Sequence, residues 1–190
     1  MYKATVFQTE LGYIQNEDFR KAISKVVHEL PDYFFTIPAS SSGKYHPDYA
    51  LGEGGLVRHT KAAVKIAADL LNREYNLNKF TPMQRDIMIA ALILHDGLKH
   101  GYEDKAGHTI SEHPVVMSNY LRDNYSNLFT PEVLQLLRAC IVTHMGQWNT
   151  NYDKVPIMPK PTSEMQWFVH MCDYLASRKY LEVSFDIGLT

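Results

Sequence analysis

The stretch Ile87-Met88-Ile89-Ala90-Ala91-Leu92-Ile93-Leu94-His95-Asp96 decides how this chain is read. It follows Thr81-Pro82-Met83-Gln84, which supplies an N-cap threonine, a proline at the first helical position and a glutamine placed to close a capping box. A helix that starts this way and is apolar on every side is a buried helix. It ends on a histidine and an aspartate. Burying a carboxylate is costly unless a cation compensates it, and a metal ion is the simplest compensation.

Outward from that helix, Thr130-Pro131-Glu132 repeats the cap-plus-proline pattern and Ser163-Glu164-Met165-Gln166 forms a second capping box. Apolar periodicity predicts helices over about 17–30, 56–75, 82–96, 114–124, 131–145 and 163–181, with a short strand at about 3–8. The expected fold is mainly α, a single-domain helical bundle over residues 1–190. A chain of 190 residues with 45% apolar side chains suffices for one well-packed core. Two long connections, about 31–55 and 147–162, exceed the usual loop length, and such loops are often binding loops or lids.

A net charge of −2 gives no basic field for a nucleic-acid scaffold or an anionic membrane. No apolar run reaches the roughly 18 residues needed to span a bilayer. Met1-Tyr2-Lys3-Ala4-Thr5 lacks the apolar core of a secretion signal. Cys140 and Cys172 do not form a Cys-x-x-Cys pair and read as small buried residues. A reduced, cytoplasmic protein is therefore expected, with no membrane partner. Nine histidines are the compositional hint of metal chemistry.

The metal-capable side chains are His59, His95, Asp96, His113, His144 and Asp173. His59 falls on a stripe with Leu56, Ala63, Ile66 or Ala67, and Leu70. His144 continues Val133, Leu137, Cys140 and Ile141, and Asp173 shares a face with Val169, Ala176 and Tyr180. A lone histidine on an apolar face is usually a hydrogen-bonded core residue. Buried aspartates are rarer, and nearly always paired or metal-bound. Several such groups on separate helices point to one or two divalent ions among Mn, Fe, Co, Ni and Zn, which imidazole and carboxylate together suit. The lack of cysteine ligands speaks against a structural zinc knuckle.

These motifs resemble the HD-domain metal-dependent phosphohydrolase superfamily. Gly54-Gly55-Leu56-Val57-Arg58-His59-Thr60 resembles its first motif and Leu92-Ile93-Leu94-His95-Asp96-Gly97-Leu98-Lys99 its second. Ile141-Val142-Thr143-His144 and Cys172-Asp173-Tyr174-Leu175-Ala176-Ser177-Arg178-Lys179 resemble the later ones. The likeness covers about residues 52–180, leaving 1–51 as an N-terminal extension. One departure is Gly97-Leu98, where many members have leucine before glycine, although the lysine keeps its register.

The resemblance implies a mainly helical fold and a ligand set. One-metal members would use His59, His95, Asp96 and Asp173. Two-metal members add two histidines, with Asp96 bridging. His144 fits one of these, and His113 and His108 compete for the other. His113, fixed before Pro114 at a helix start, is favoured over His108 in its Lys105-Ala106-Gly107 loop.

The expected activity is hydrolysis of a nucleotide or phosphodiester by a metal-activated water. Asp96 and Lys99 are the candidate catalytic residues, Lys99 because it lies one helical turn past His95-Asp96. Lys99, Arg58, Arg178 and Lys44 are candidates for contact with the phosphate. His46 could reach the site from its loop, whereas His100 and His170 should point to other faces. The expected partner is a small nucleotide or phosphate ester, with an oligonucleotide end and a homo-oligomer as further options. The Gly54-Gly55-Leu56…His59 and Asp173–Arg178 patterns also resemble HD domains attached to 3′–5′ exoribonucleases. Two alternatives stand beside the hydrolase: a di-iron oxygenase of the same fold and ligand set, and an inactive nucleotide-binding module.

Overall fold

A computed structural model describes residues 2–40, 43–104 and 107–181. Ser41 and Ser42 of the first long loop, and Lys105 and Ala106 beside His108, lie outside the described residues. The described chain is mainly helical. Its α-helices are α1 (Gln8–Leu11), α2 (Glu17–Glu29), α3 (Gly55–Leu71), α4 (Glu74–Lys79), α5 (Pro82–Leu94), α6 (His113–Tyr125), α7 (Pro131–Val142) and α8 (Glu164–Ala176). Among the described residues there is no strand beyond an isolated bridge between Thr150 and Pro156. Among these residues, too, no helix is long and apolar enough to cross a membrane.

The central helix is α5. Both halves of its capping box form, with the Thr81 side chain accepting from the Gln84 N–H and the Gln84 side chain accepting from the Thr81 N–H. Every residue from Ile87 to Leu94 is at most 2% exposed. α5 packs against α3, α7 and α8, α3 lies along α8, and α6 covers α7. The C-terminal end of α5 is thereby surrounded by helices, and His95-Asp96 emerges in their midst.

The N-terminal segment is tied to α5 by Asp86, a buried carboxylate. Its two oxygens accept the backbone N–H groups of Gln15 and Asn16, each at 2.8 Å. The Asn16 side chain in turn caps α2 by accepting from the Phe19 N–H. Asp86→Ala would take the charged acceptor from two part-buried N–H groups. It should cost about 3 kcal/mol, the scale of hydrogen bonds to a charged acceptor. Urea unfolding monitored by circular dichroism measures it, and a loss below about 1 kcal/mol would mean that water replaces the carboxylate there.

Several expected boundaries are corrected. Residues Lys3–Phe7 form a 3-10 turn leading into α1, not a strand. Ala4, Phe7 and Leu11, spaced by three and four, are the buried apolar residues, which is a helical period. The helix expected over 56–75 breaks after Leu71. Arg73 is extended, and the Asn76 side chain donates to the Leu70 carbonyl. Leu71 rather than Leu70 enters the core. The helix over 163–181 stops at Ala176, where the Ser177 hydroxyl donates to the Tyr174 carbonyl, and Tyr180 is exposed.

The Gly97-Leu98 order has a packing reason. Leu98 is buried, whereas a Cβ at position 97 would lie 2.9 Å from the Leu30 side chain and 3.1 Å from the Met117 sulfur. Cys140 and Cys172 are free, buried thiols, and burial pushes both up to about 12.

Candidate metal centre

Five elements bring six side chains together. His59 comes from the inward face of α3, His95 and Asp96 from the end of α5, and His113 from the first turn of α6. His144 comes from the turn after α7 and Asp173 from α8. All four histidines are at most 2% exposed and Asp96 is 3% exposed. The sets His59–His95–Asp173 and His95–Asp96–His144 each bring their ligand atoms within 4.8 Å of one another, so these buried groups can hold a metal ion.

The orientation of three rings follows from where helices end. The last carbonyls of a helix lack intrahelical donors. His95 Nδ1 lies 2.7 Å from the Leu92 carbonyl and His144 Nδ1 lies 2.8 Å from the Ile141 carbonyl. His113 Nδ1 lies 2.8 Å from the Ile110 carbonyl before α6. A carbonyl only accepts, so each Nδ1 carries a proton and each ring turns its Nε2 to the centre.

These Nε2 atoms, and that of His59, meet carboxylate oxygens. His113 Nε2 is 3.3 Å from His144 Nε2, and Asp96 Oδ1 is 3.0 Å from the first and 3.8 Å from the second. Asp173 Oδ1 is 2.9 Å from His59 Nε2 and 3.5 Å from His95 Nε2. Among the described residues, His95 Nε2 and Asp96 Oδ1 are buried with no hydrogen-bond partner. Acceptors crowded together at this depth call for positive charge between them.

The titration directions express the same demand. Burial opposes charge on His95, but the carboxylates of Asp96 and Asp173 outweigh it and carry the ring to about 10. Burial opposes ionisation of Asp96, yet Lys99 and His95 hold it well below the usual carboxylate range. Asp173 is likewise held low against burial by His95 and His59. Burial, then the charge on His95, pushes His144 down to about 3 and leaves its Nε2 free to donate a lone pair.

The centre opens into a cavity of about 280 Å³. Asp96, His59, His144, Asp173 and Lys99 lie at its base, and Tyr45, His46, Trp148, His170, Tyr174 and Arg178 are among its walls. Lys99 Nζ donates to Asp96 Oδ2 at 2.5 Å. Arg178 lines the cavity, whereas Arg58 and Lys44 do not. Arg58 instead holds its own loop, with Nε donating to the Tyr49 carbonyl and an Nη donating to the Leu51 carbonyl at 2.8 Å. The Lys44 ammonium sits over the Tyr45 ring. Of the two competing histidines, His113 enters the centre and His108 is exposed in its loop.

His46 does reach the site, its ring centroid 5.4 Å from that of His59, and burial with His59 and Lys99 nearby lowers it to about 4. His100 turns away to Asp104 and stacks on Tyr33. The expectation for His170 is corrected. It lines the cavity, and its Nδ1 donates to the His144 carbonyl at 2.7 Å. The turn carrying that carbonyl includes Gly146 at φ +59, so the cause is tertiary, beyond the reach of helix periodicity.

Both long loops serve the cavity. The first supplies Tyr45 and His46, and the second supplies Trp148. The aromatic wall of Tyr45, Trp148 and Tyr174 was not foreseen. Its signal in the sequence is the Gly146-Gln147-Trp148 run directly after His144-Met145. Scans against protein-family models, curated proteins and solved structures give no match to this chain.

Proposed function

We propose that this chain is a divalent-metal-dependent phosphohydrolase of the HD-domain type, acting on a nucleotide or phosphodiester. The observation that carries the reading is the convergence of His113 and His144 Nε2 atoms with Asp96 Oδ1, deep in the protein and next to a cavity. Structural ion pairs do not need acceptors aimed at one another. Metal ligation does.

The donor set fits one or two first-row ions, with His59, His95, Asp96 and Asp173 at one position and His113 and His144 extending it to a second. Bound there, two such ions would acidify a water and polarise a phosphoryl oxygen. The chain's own residues supply the rest. Asp96 presents one oxygen to each side of the centre. Lys99 Nζ, at the cavity base, is placed to take charge from a phosphoryl oxygen, since phosphoryl transfer needs mainly positioning and electrostatic stabilisation. The two long loops add His46 and Trp148 to the lining of the cavity.

The test is elemental analysis of purified protein, followed by phosphate release from nucleotides and phosphodiesters with Mn²⁺, Co²⁺, Ni²⁺ or Mg²⁺ under anaerobic conditions. Anaerobic release supports hydrolysis, and turnover that requires O₂ overturns it. Lys99→Ala should lower turnover by about 10²–10³ with metal content intact, by analogy with loss of one oxyanion donor. If Lys99 serves only to neutralise Asp96, the variant changes metal affinity and keeps its turnover at saturating metal.

A further inference from the structure

The mouth of the cavity is built from rings. Trp148 stacks on Tyr174 with centroids 5.6 Å apart and planes 13° from parallel. The Arg178 guanidinium carbon lies 4.5 Å from the Tyr174 centroid, 5.3 Å from Tyr45 and 5.6 Å from Trp148. Among the described residues Arg178 has no carboxylate partner, and its Nε donates to the Ser177 hydroxyl.

Trp148 gives one face to Tyr174 yet remains 43% exposed, and Tyr45 remains 53% exposed. Large aromatic surface left open on the wall of a polar cavity is surface a ligand can cover. The platform is also held in place. Trp148 N–H donates to the Met145 carbonyl, and the next residue, Asn149, is buried and bonded to the main chain of Ile157 and Met158.

From this geometry we infer a planar-ring subsite at the cavity mouth, with Trp148 and Arg178 as its specificity-determining residues. The ligand class is a monomeric phosphate ester whose alcohol side carries a flat heteroaromatic ring, a nucleoside monophosphate in size. The inference rests on the metal-phosphate reading for the other end of the ligand. Three observations select this class. Aromatic faces and guanidinium planes stack on flat rings whatever their edge pattern. His144 and Trp148 come from one turn, so the ring subsite borders the metal ligands. The cavity, at about 280 Å³, falls at the small end of ligand pockets and suits one monomer.

The test compares two probes that differ only in the ring. These are the methylenephosphonate isosteres of adenosine 5′-monophosphate and of ribose 5-phosphate, in which carbon replaces the ester oxygen and hydrolysis is blocked. Binding to metal-loaded protein is followed by calorimetry. It is also followed by fluorescence in a Trp167→Phe background, where Trp148 is the remaining tryptophan.

The adenosine isostere should bind at least about tenfold tighter, the worth of one base–aromatic stack, and should quench Trp148. Trp148→Ala should abolish that preference and leave ribose-isostere affinity unchanged, while Trp148→Phe retains most of it. Equal affinities in the parent protein, or a preference that survives Trp148→Ala, overturn the subsite and spare the metal-phosphate reading. Binding of plain adenosine with Trp148 quenching, and no binding of the ribose isostere, keeps the subsite and removes the phosphate reading. Binding of none of these probes overturns both.

Discussion

Asp96→Ala protein is expected to carry no metal above background and to show no measurable turnover. Asp96 touches both halves of the centre, with Oδ1 near His113 and His144 and Oδ2 near Lys99 and His95. Removing it deletes the carboxylate proposed to serve both metal positions and takes away the partner of Lys99 Nζ. A drop of more than about 10³ in rate is expected, beyond what loss of a single oxyanion donor produces. Metal content by elemental analysis and helicity by far-ultraviolet circular dichroism separate site loss from unfolding. Asp96→Asn, which keeps the shape, should retain the fold and bind metal weakly. An Asp96→Ala protein that keeps its metal stoichiometry would sink the shared-carboxylate reading.

Gly146→Ala is expected to be strongly destabilising. Position 146 has φ +59, where an L side chain is strained by about 1–2 kcal/mol. An added Cβ would also meet the His170 ring at 2.3–2.6 Å. Forced overpacking costs about 1–3 kcal/mol more, for a total near 4 kcal/mol. His170 cannot swing away freely, because its Nδ1 holds the His144 carbonyl. Chemical denaturation should register the loss, and metal affinity should fall with it as the His144 turn shifts. A change under about 1 kcal/mol would show that the turn relaxes at little cost. His170→Ala in the same background, by opening space, should then recover part of the stability.

Much of this architecture is written locally. The Thr81, Thr130 and Ser163 caps each accept from the backbone three residues on, where proline or a capping glutamine announces them. The inward places of His59 and Asp173 follow from helical spacing. What could not be read depends on contacts across the chain. Asp86 holds the Gln15 and Asn16 N–H groups some seventy residues away, and no periodicity marks it. His170 was assigned outward because helix geometry says nothing of a turn from another element pressed against its ring. Arg58 was expected at the phosphate because it adjoins His59. Neighbours in a helix point about 100° apart, and Arg58 falls on the exposed flank of α3 while His59 and Thr60 are buried.

The carbonyls behind His95, His113 and His144 have a consequence for how such a centre can change over evolutionary time. Partners that back metal-binding imidazoles tune their basicity and fix their tautomer. Where the partner is a carboxylate side chain, one codon change adjusts the metal. Here the partners are the main-chain oxygens of Leu92, Ile110 and Ile141, and no substitution removes a main-chain oxygen. Variation at those positions alters side-chain bulk and leaves the ring support untouched. Selection acting on metal preference is thereby channelled to few places: the ligands themselves, Lys99 against Asp96, and the unsupported Nδ1 of His59, buried without a partner. A lineage of such chains would drift widely in its helices while its ring tautomers stayed constant.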